Sequence, residues 1–167
     1  KTLKMAGWLK SKGIKKGDRV CAYMPNCSET IITMLATSAL GAIFSSCSSD
    51  FGVEGVIDRF EQIEPKILVA TNGYLYNGKL IERAEEIKTI SKRLTSLEHV
   101  LVVEYITSKK DIDNFSNFNT VFQSDPLEKY ALCDFNDPLY IVFSSGTTGK
   151  PKCIVHSVGG VLIQHAK

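Results

Sequence analysis

Residues 53–70 read Val-Glu-Gly-Val-Ile-Asp-Arg-Phe-Glu-Gln-Ile-Glu-Pro-Lys-Ile-Leu-Val-Ala. Val53, Val56, Ile57, Phe60 and Ile63 fall on one face at helical spacing. Pro65 ends the helix, because the residue before a proline is pushed out of the α region. Ile67-Leu68-Val69-Ala70 is then a short, wholly apolar run of the kind found in a strand covered on both faces. Helix, proline stop and buried strand together make one αβ unit.

The same alternation extends in both directions. Upstream, residues 3–12 are helix-like, with Gly13 as the stop, and Arg19 to Met24 form a strand closed by Pro25. Ser28 is a suitable N-cap for a helix to about Leu40, with Ile31, Ile32, Leu35, Ala39 and Leu40 facing inward. Ala42 to Ser45 form the next strand, and Ser45 to Gly52 is a loop of small residues. Downstream, Leu80, Ile81, Ala84, Ile87, Ile90 and Leu94 mark a long helix, and Val100 to Val103 a strand. Three strand–helix–strand units in succession predict an α/β fold, a parallel sheet with helices on both faces and right-handed crossovers. Residues 107–138 break the rhythm, with Val121-Phe122 as a short strand at most.

After that excursion, Leu139-Tyr140-Ile141-Val142-Phe143 reads as another strand buried on both faces, and Ser144-Ser145-Gly146-Thr147-Thr148-Gly149-Lys150-Pro151-Lys152 follows it. This loop has four hydroxyls, two glycines, two lysines and no carboxylate. Backbone N–H groups, hydroxyls and lysine charge suit a polyanion, and the glycines let a phosphate approach the main chain. Ligands of open α/β sheets sit beyond the carboxyl ends of strands, where this loop lies. The Walker pattern is absent, since Gly146 and Gly149 are three apart and Pro151 follows Lys150. A plain polar turn is the competing reading. Cys153 to Ser157 form a strand leaving the loop, with a helix from about Gly159.

The chain has 167 residues, 44% hydrophobic and 23% charged, within the range of a globular domain. A formal charge of +2 gives no case for a nucleic-acid partner, and no apolar run has the length of a membrane span. Cys21, Cys27, Cys47, Cys133 and Cys153 show neither paired nor metal-ligand spacing. An odd, scattered set predicts a reducing, cytoplasmic setting and no metal site. The chain opens at Lys1 without a methionine and stops at Lys167 inside a helical pattern, which predicts a truncated piece of a longer protein.

The stretch Ser144 to Lys152 resembles the signature of the adenylate-forming enzymes, which include acyl-CoA synthetases, luciferases and peptide-synthetase adenylation domains. Within that family, Ser49 to Val53, Asp58 to Lys66, Tyr76 to Lys79 and Lys152 to Ser157 look like the branch that activates acetoacetate. Acetate- and propionate-activating relatives usually carry glycine at the position of Cys153, and more often threonine at that of Ser144. The resemblance implies that residues 1–167 are a fragment of the large N-terminal AMP-binding domain, with the C-terminal domain absent. It implies an acid–thiol ligase using ATP, Mg2+ and coenzyme A, by way of an acyl-adenylate.

By the same resemblance, Ser144, Ser145, Gly146, Thr147, Thr148, Gly149 and Lys152 contact the ATP phosphates, and Lys79 lies near the CoA nucleotide. The arginine that normally precedes Gly78-Lys79 in acetyl-CoA synthetases is missing, which leaves a surface turn as the competing reading for Lys79. No catalytic residue is expected within the fragment, which by itself should be inactive. An acetate or propionate ligase and a non-catalytic nucleotide-binding homologue are the alternatives. His156, Trp8 and an Asp50–Arg59 pair are expected to be structural.

Overall fold

The structure is a computed structural model that describes residues 1–108, 112, 114–145 and 149–167. Helix α1 spans Thr2–Ser11, strand β1 Arg19–Tyr23, helix α2 Ser28–Ala39 and strand β2 Ile43–Cys47. Helix α3 (Val53–Phe60) runs into a 3-10 turn, Glu61–Ile63, and β3 follows at Ile67–Thr71. Strands β4 (Gly73–Tyr76) and β5 (Lys79–Glu82) precede α4 (Ala84–Arg93) and β6 (His99–Val103). Then come β7 (Ser116–Asn117), a 3-10 helix (Phe118–Gln123), β8 (Pro138–Phe143), β9 (Cys153–Ser157) and α5 (Val158–His165).

Seven strands form one sheet in the order β7-β6-β3-β1-β2-β8-β9. Every neighbouring pair is parallel except β8 and β9. Alternate residues of each strand enter opposite cores, as the two-residue period requires. Val20 and Ala22 of β1 join Met5 and Leu9 of α1 and Ala36 of α2 on one face. Cys21 and Tyr23 join Val56, Ile57 and Phe60 of α3 and Ile87 and Ile90 of α4 on the other. The α/β sheet with helices on both faces is therefore observed.

Several local expectations are corrected. Leu80 and Ile81 do not open a helix: they belong to β5 of a separate two-stranded hairpin with β4. Asn77 (φ 47°) and Gly78 (φ 73°) supply the two left-handed residues that a two-residue hairpin turn needs. In α2, Ile31 and Leu35 are 46% and 47% exposed, while Thr33, Ala36 and Thr37 face the core. Small residues let α2 lie close to α1 and the sheet, and Thr33 and Thr37 satisfy their hydroxyls on the Glu29 and Thr33 carbonyls. Ser28 is the first helical residue, with Cys27 in the cap position. Val121 and Phe122 lie in a 3-10 helix, not a strand. Strand β8 is not buried on both faces: within it only Ile141 is buried, and Val142, on the opposite face, is 42% exposed.

The excursion before β8 ties the first layer together. The Leu127 N–H donates to the Leu3 carbonyl, and that of Ala131 to Ala39. Gly7 makes the first contact possible, since a Cβ there would stand 1.8 Å from the Asp125 carbonyl oxygen. Trp8 is a packing residue, buried and edge-on to His99 at 6.0 Å. No helix among the described residues is long and apolar enough to cross a membrane.

Candidate phosphate-binding site

Strand β8 lies parallel to β2, pairing Phe44 with Tyr140 and Ser45 with Ile141. The hydroxyl of Ser45, fully buried, donates to the Ile141 carbonyl at 2.8 Å and fastens the two strands. The loop 144–152 therefore leaves the sheet at the carboxyl end of its parallel strands, as expected. Strand β9 then returns antiparallel, with Phe143 opposite Cys153.

The neck of the loop is closed by two hydrogen bonds. The Ser144 N–H donates to the Lys152 carbonyl at 3.0 Å, and the Lys152 N–H donates to the Ser144 Oγ at 2.9 Å. Accepting that bond leaves the Ser144 hydroxyl hydrogen free to donate into the loop. Ser145, Lys150 and Lys152 are exposed. Gly149 has φ 142°, with open space where a Cβ would stand, so the backbone conformation and not crowding selects glycine. Gly146, Thr147 and Thr148 lie outside the described residues.

The adjacent loop, after β2, is held from beneath. The Tyr23 hydroxyl lies 2.6 Å from the Phe51 carbonyl and 3.1 Å from that of Ser49, donating between them. Arg83 donates through Nε to Ser49 at 2.9 Å and through Nη1 to Glu86 at 2.7 Å. Burial pushes the Tyr23 phenol up to about 12, so it remains a donor at neutral pH. Sequence reading did not single out Tyr23, Arg83 or Ser45. Tyr23 and Ser45 lie in apolar strands and donate to main-chain carbonyls that no motif records, and Arg83 reaches the Ser49 carbonyl 34 residues away.

Lys79 occupies the first position after the Asn77-Gly78 turn and is exposed. Its hairpin follows β3 at the carboxyl end of the sheet, three strands from β8. At ordinary strand spacing that is roughly 14 Å across the sheet. The structure thus places Lys79 at the same end as the loop but in a different element. Asp50 and Arg59 do not form the expected pair: Arg59 donates to the Gly55 carbonyl at 2.7 Å and lies 4.5 Å over the Phe51 ring. His156 is exposed and stacks at 5.1 Å on Tyr140. All five cysteines are free thiols.

A family model described as AMP-binding enzyme matches residues 1–167. The acetoacetyl-CoA synthetase of Macaca fascicularis is 44% identical over 172 aligned residues, which cover 97% of this chain and 26% of that protein. The acetoacetyl-coenzyme A synthetase of Rhizobium meliloti (strain 1021) is 46% identical over 166, covering 95% and 25%. Among solved structures, acetoacetyl-CoA synthetase from Streptomyces lividans superposes with a TM-score of 0.93 at 36% identity, over 99% of this chain and 26% of that one. The chain spans about a quarter of the length of the curated relatives it matches.

Proposed function

The chain belongs to the AMP-binding enzyme family, and on that premise we propose that it is part of an ATP-dependent acid–thiol ligase that converts acetoacetate to acetoacetyl-CoA. In this reading residues 1–167 contribute to the large N-terminal domain. The observation that carries it is the lysine- and hydroxyl-bearing loop at the carboxyl edge of the sheet, in a chain that resembles acetoacetyl-CoA synthetases along nearly its whole length.

In the first step a carboxylate oxygen of acetoacetate bonds to the α-phosphorus of ATP. The bond from that phosphorus to the β-phosphate oxygen breaks, and pyrophosphate leaves with the electron pair. In the second step the CoA sulfur bonds to the acyl carbon, AMP departs, and the thiol proton is lost. The first step brings two anions together and builds charge on the leaving pyrophosphate. Preorganised donors around that leaving group stabilise the transition state more than the ground state.

The loop supplies such donors. The hydroxyls of Ser144, Ser145, Thr147 and Thr148 and the N–H groups of Gly146 and Gly149 would cradle the β- and γ-phosphates, and Lys152 would neutralise them. Gly149 lets the loop close on ATP and open for pyrophosphate. Lys79 would attract the nucleotide end of CoA. Among the described residues no group of three or more His, Cys, Asp or Glu is placed to hold a metal. A Mg2+ ion would be carried in on the phosphates of ATP, in keeping with that ion's habit. A cytoplasmic setting agrees with the free thiols.

The test is pyrophosphate exchange by the full-length ligase with acetoacetate, acetate and propionate. Acetoacetate should be preferred; a preference for acetate overturns the substrate assignment. Lys152→Ala should slow exchange by about two orders of magnitude, the usual effect of removing one preorganised donor. An unchanged rate removes Lys152 from the phosphate site. Lys79→Ala should raise the KM for CoA with exchange intact, and an unaltered KM returns Lys79 to the surface turn.

A further inference from the structure

Gln62 sits on the 3-10 turn that ends α3, far in sequence from the phosphate loop. Its Nε2 donates to the Pro151 carbonyl at 2.9 Å, and its Oε1 lies 3.6 Å from the Cys153 thiol, which donates to it. The Pro151 carbonyl belongs to the same peptide group as the Lys152 N–H. That N–H is bonded to the Ser144 hydroxyl at 2.9 Å. The Pro151–Lys152 peptide plane is thus held from both sides, by α3 at its oxygen and by the end of β8 at its nitrogen.

Holding that plane fixes the main-chain torsions on either side of it, ψ of Pro151 and φ of Lys152, and hence the direction in which the Lys152 side chain leaves. The brace is rigid at its own base. Phe60, just before the turn, and Ile63, its last residue, are buried in the sheet's second core. A donor carried on a packed element holds a loop more firmly than a donor on another loop.

We propose that Gln62 is a positioning residue for the phosphate loop: it clamps the Pro151–Lys152 peptide and thereby aims the Lys152 ammonium at the ATP phosphates. The inference rests on the loop's assignment to ATP. Gln62 itself is exposed, so its replacement does not endanger folding.

The test uses the full-length ligase and four variants: Gln62→Ala, Gln62→Glu, Lys152→Ala and the double variant Gln62→Ala/Lys152→Ala. Losing one modest hydrogen bond should raise the ATP KM about three- to ten-fold, with the CoA KM unchanged. Gln62→Glu should be worse than Gln62→Ala, since a carboxylate cannot donate to the Pro151 carbonyl and repels the phosphates. In the Lys152→Ala background the Gln62→Ala change should add nothing, because a residue acting through Lys152 has no effect once the ammonium is gone. Multiplying effects, or equal changes in the ATP and CoA KM values, overturn the proposal. Failure of Lys152→Ala alone to alter ATP use sinks the loop's assignment instead. Hydrogen exchange at the Lys152 amide then judges the clamp: faster exchange in Gln62→Ala keeps it, and unchanged exchange removes it.

Discussion

The Tyr23 phenol shows how a residue at the end of an apolar strand does polar work. Its ring is fully buried against α3 and α4, while its hydroxyl reaches past the core to two carbonyls of the loop after β2. Ser49 keeps a second donor in Arg83, but Phe51 depends on the phenol. Tyr23→Phe should therefore lower stability by about 1 kcal/mol, the net worth of a hydrogen bond with one partner left behind. Urea unfolding measures this; a midpoint equal to that of the parent means that water replaces the phenol. Sequence shows such a residue only as part of Arg-Val-Cys-Ala-Tyr, where the tyrosine reads as one more strand former. The residues proposed to bind phosphate stood out in the sequence because their chemistry is concentrated in nine consecutive positions. Gln62 did not, since besides the nearby Asp58 carbonyl its partners are a carbonyl and a thiol some ninety residues away.

Among the elements, those with one strong period were readable and those with two competing signals were not. Helix α3 and strands β1, β3 and β6 stand close to where periodicity places them. The stretch 73–94 carried a helical pattern that ran through Leu80 and Ile81, and an Asn-Gly pair just before it. The turn prevailed locally, because two consecutive residues at positive φ cannot continue into a helix and do close a hairpin. The error in α2 has another origin. Its large apolar residues, Ile31 and Leu35, point outward, and its close packing against α1 needs the small ones. Gly78→Ala should cost about 1 kcal/mol through its left-handed conformation, since nothing crowds the added methyl. Amide exchange should speed up from Gly73 to Glu82 while β3 and β6 keep their protection. Uniform loss across the sheet would mean instead that the hairpin is part of the cooperative core.

At the scale of the molecule, the sheet separates two cores whose ionisable contents differ. The first holds α1, α2 and the excursion before β8, whose docking depends on main-chain bonds and on the missing side chain of Gly7 and is invisible to hydropathy. The second holds Cys21, Tyr23 and Cys47. Burial pushes the Cys21 thiol well above its ordinary 9.0, Cys47 from 9.0 to about 12, and Tyr23 from 10.0 to about 12. All three are neutral when protonated. Above pH 9 the unfolded chain begins to release these protons while the folded chain retains them. The folded state then binds more protons than the unfolded one, and stability falls as pH rises. The contribution is complete below about pH 9 and is lost as pH climbs toward 12. The urea midpoint should thus hold level from pH 7 to 8.5 on account of these groups and decline from pH 9 to 11. The decline should be shallower in Cys47→Ala, whatever that substitution does to stability at pH 7, because one retained proton has been removed. A parallel decline in parent and variant would show that Cys47 ionises as readily in the folded protein as in the unfolded chain.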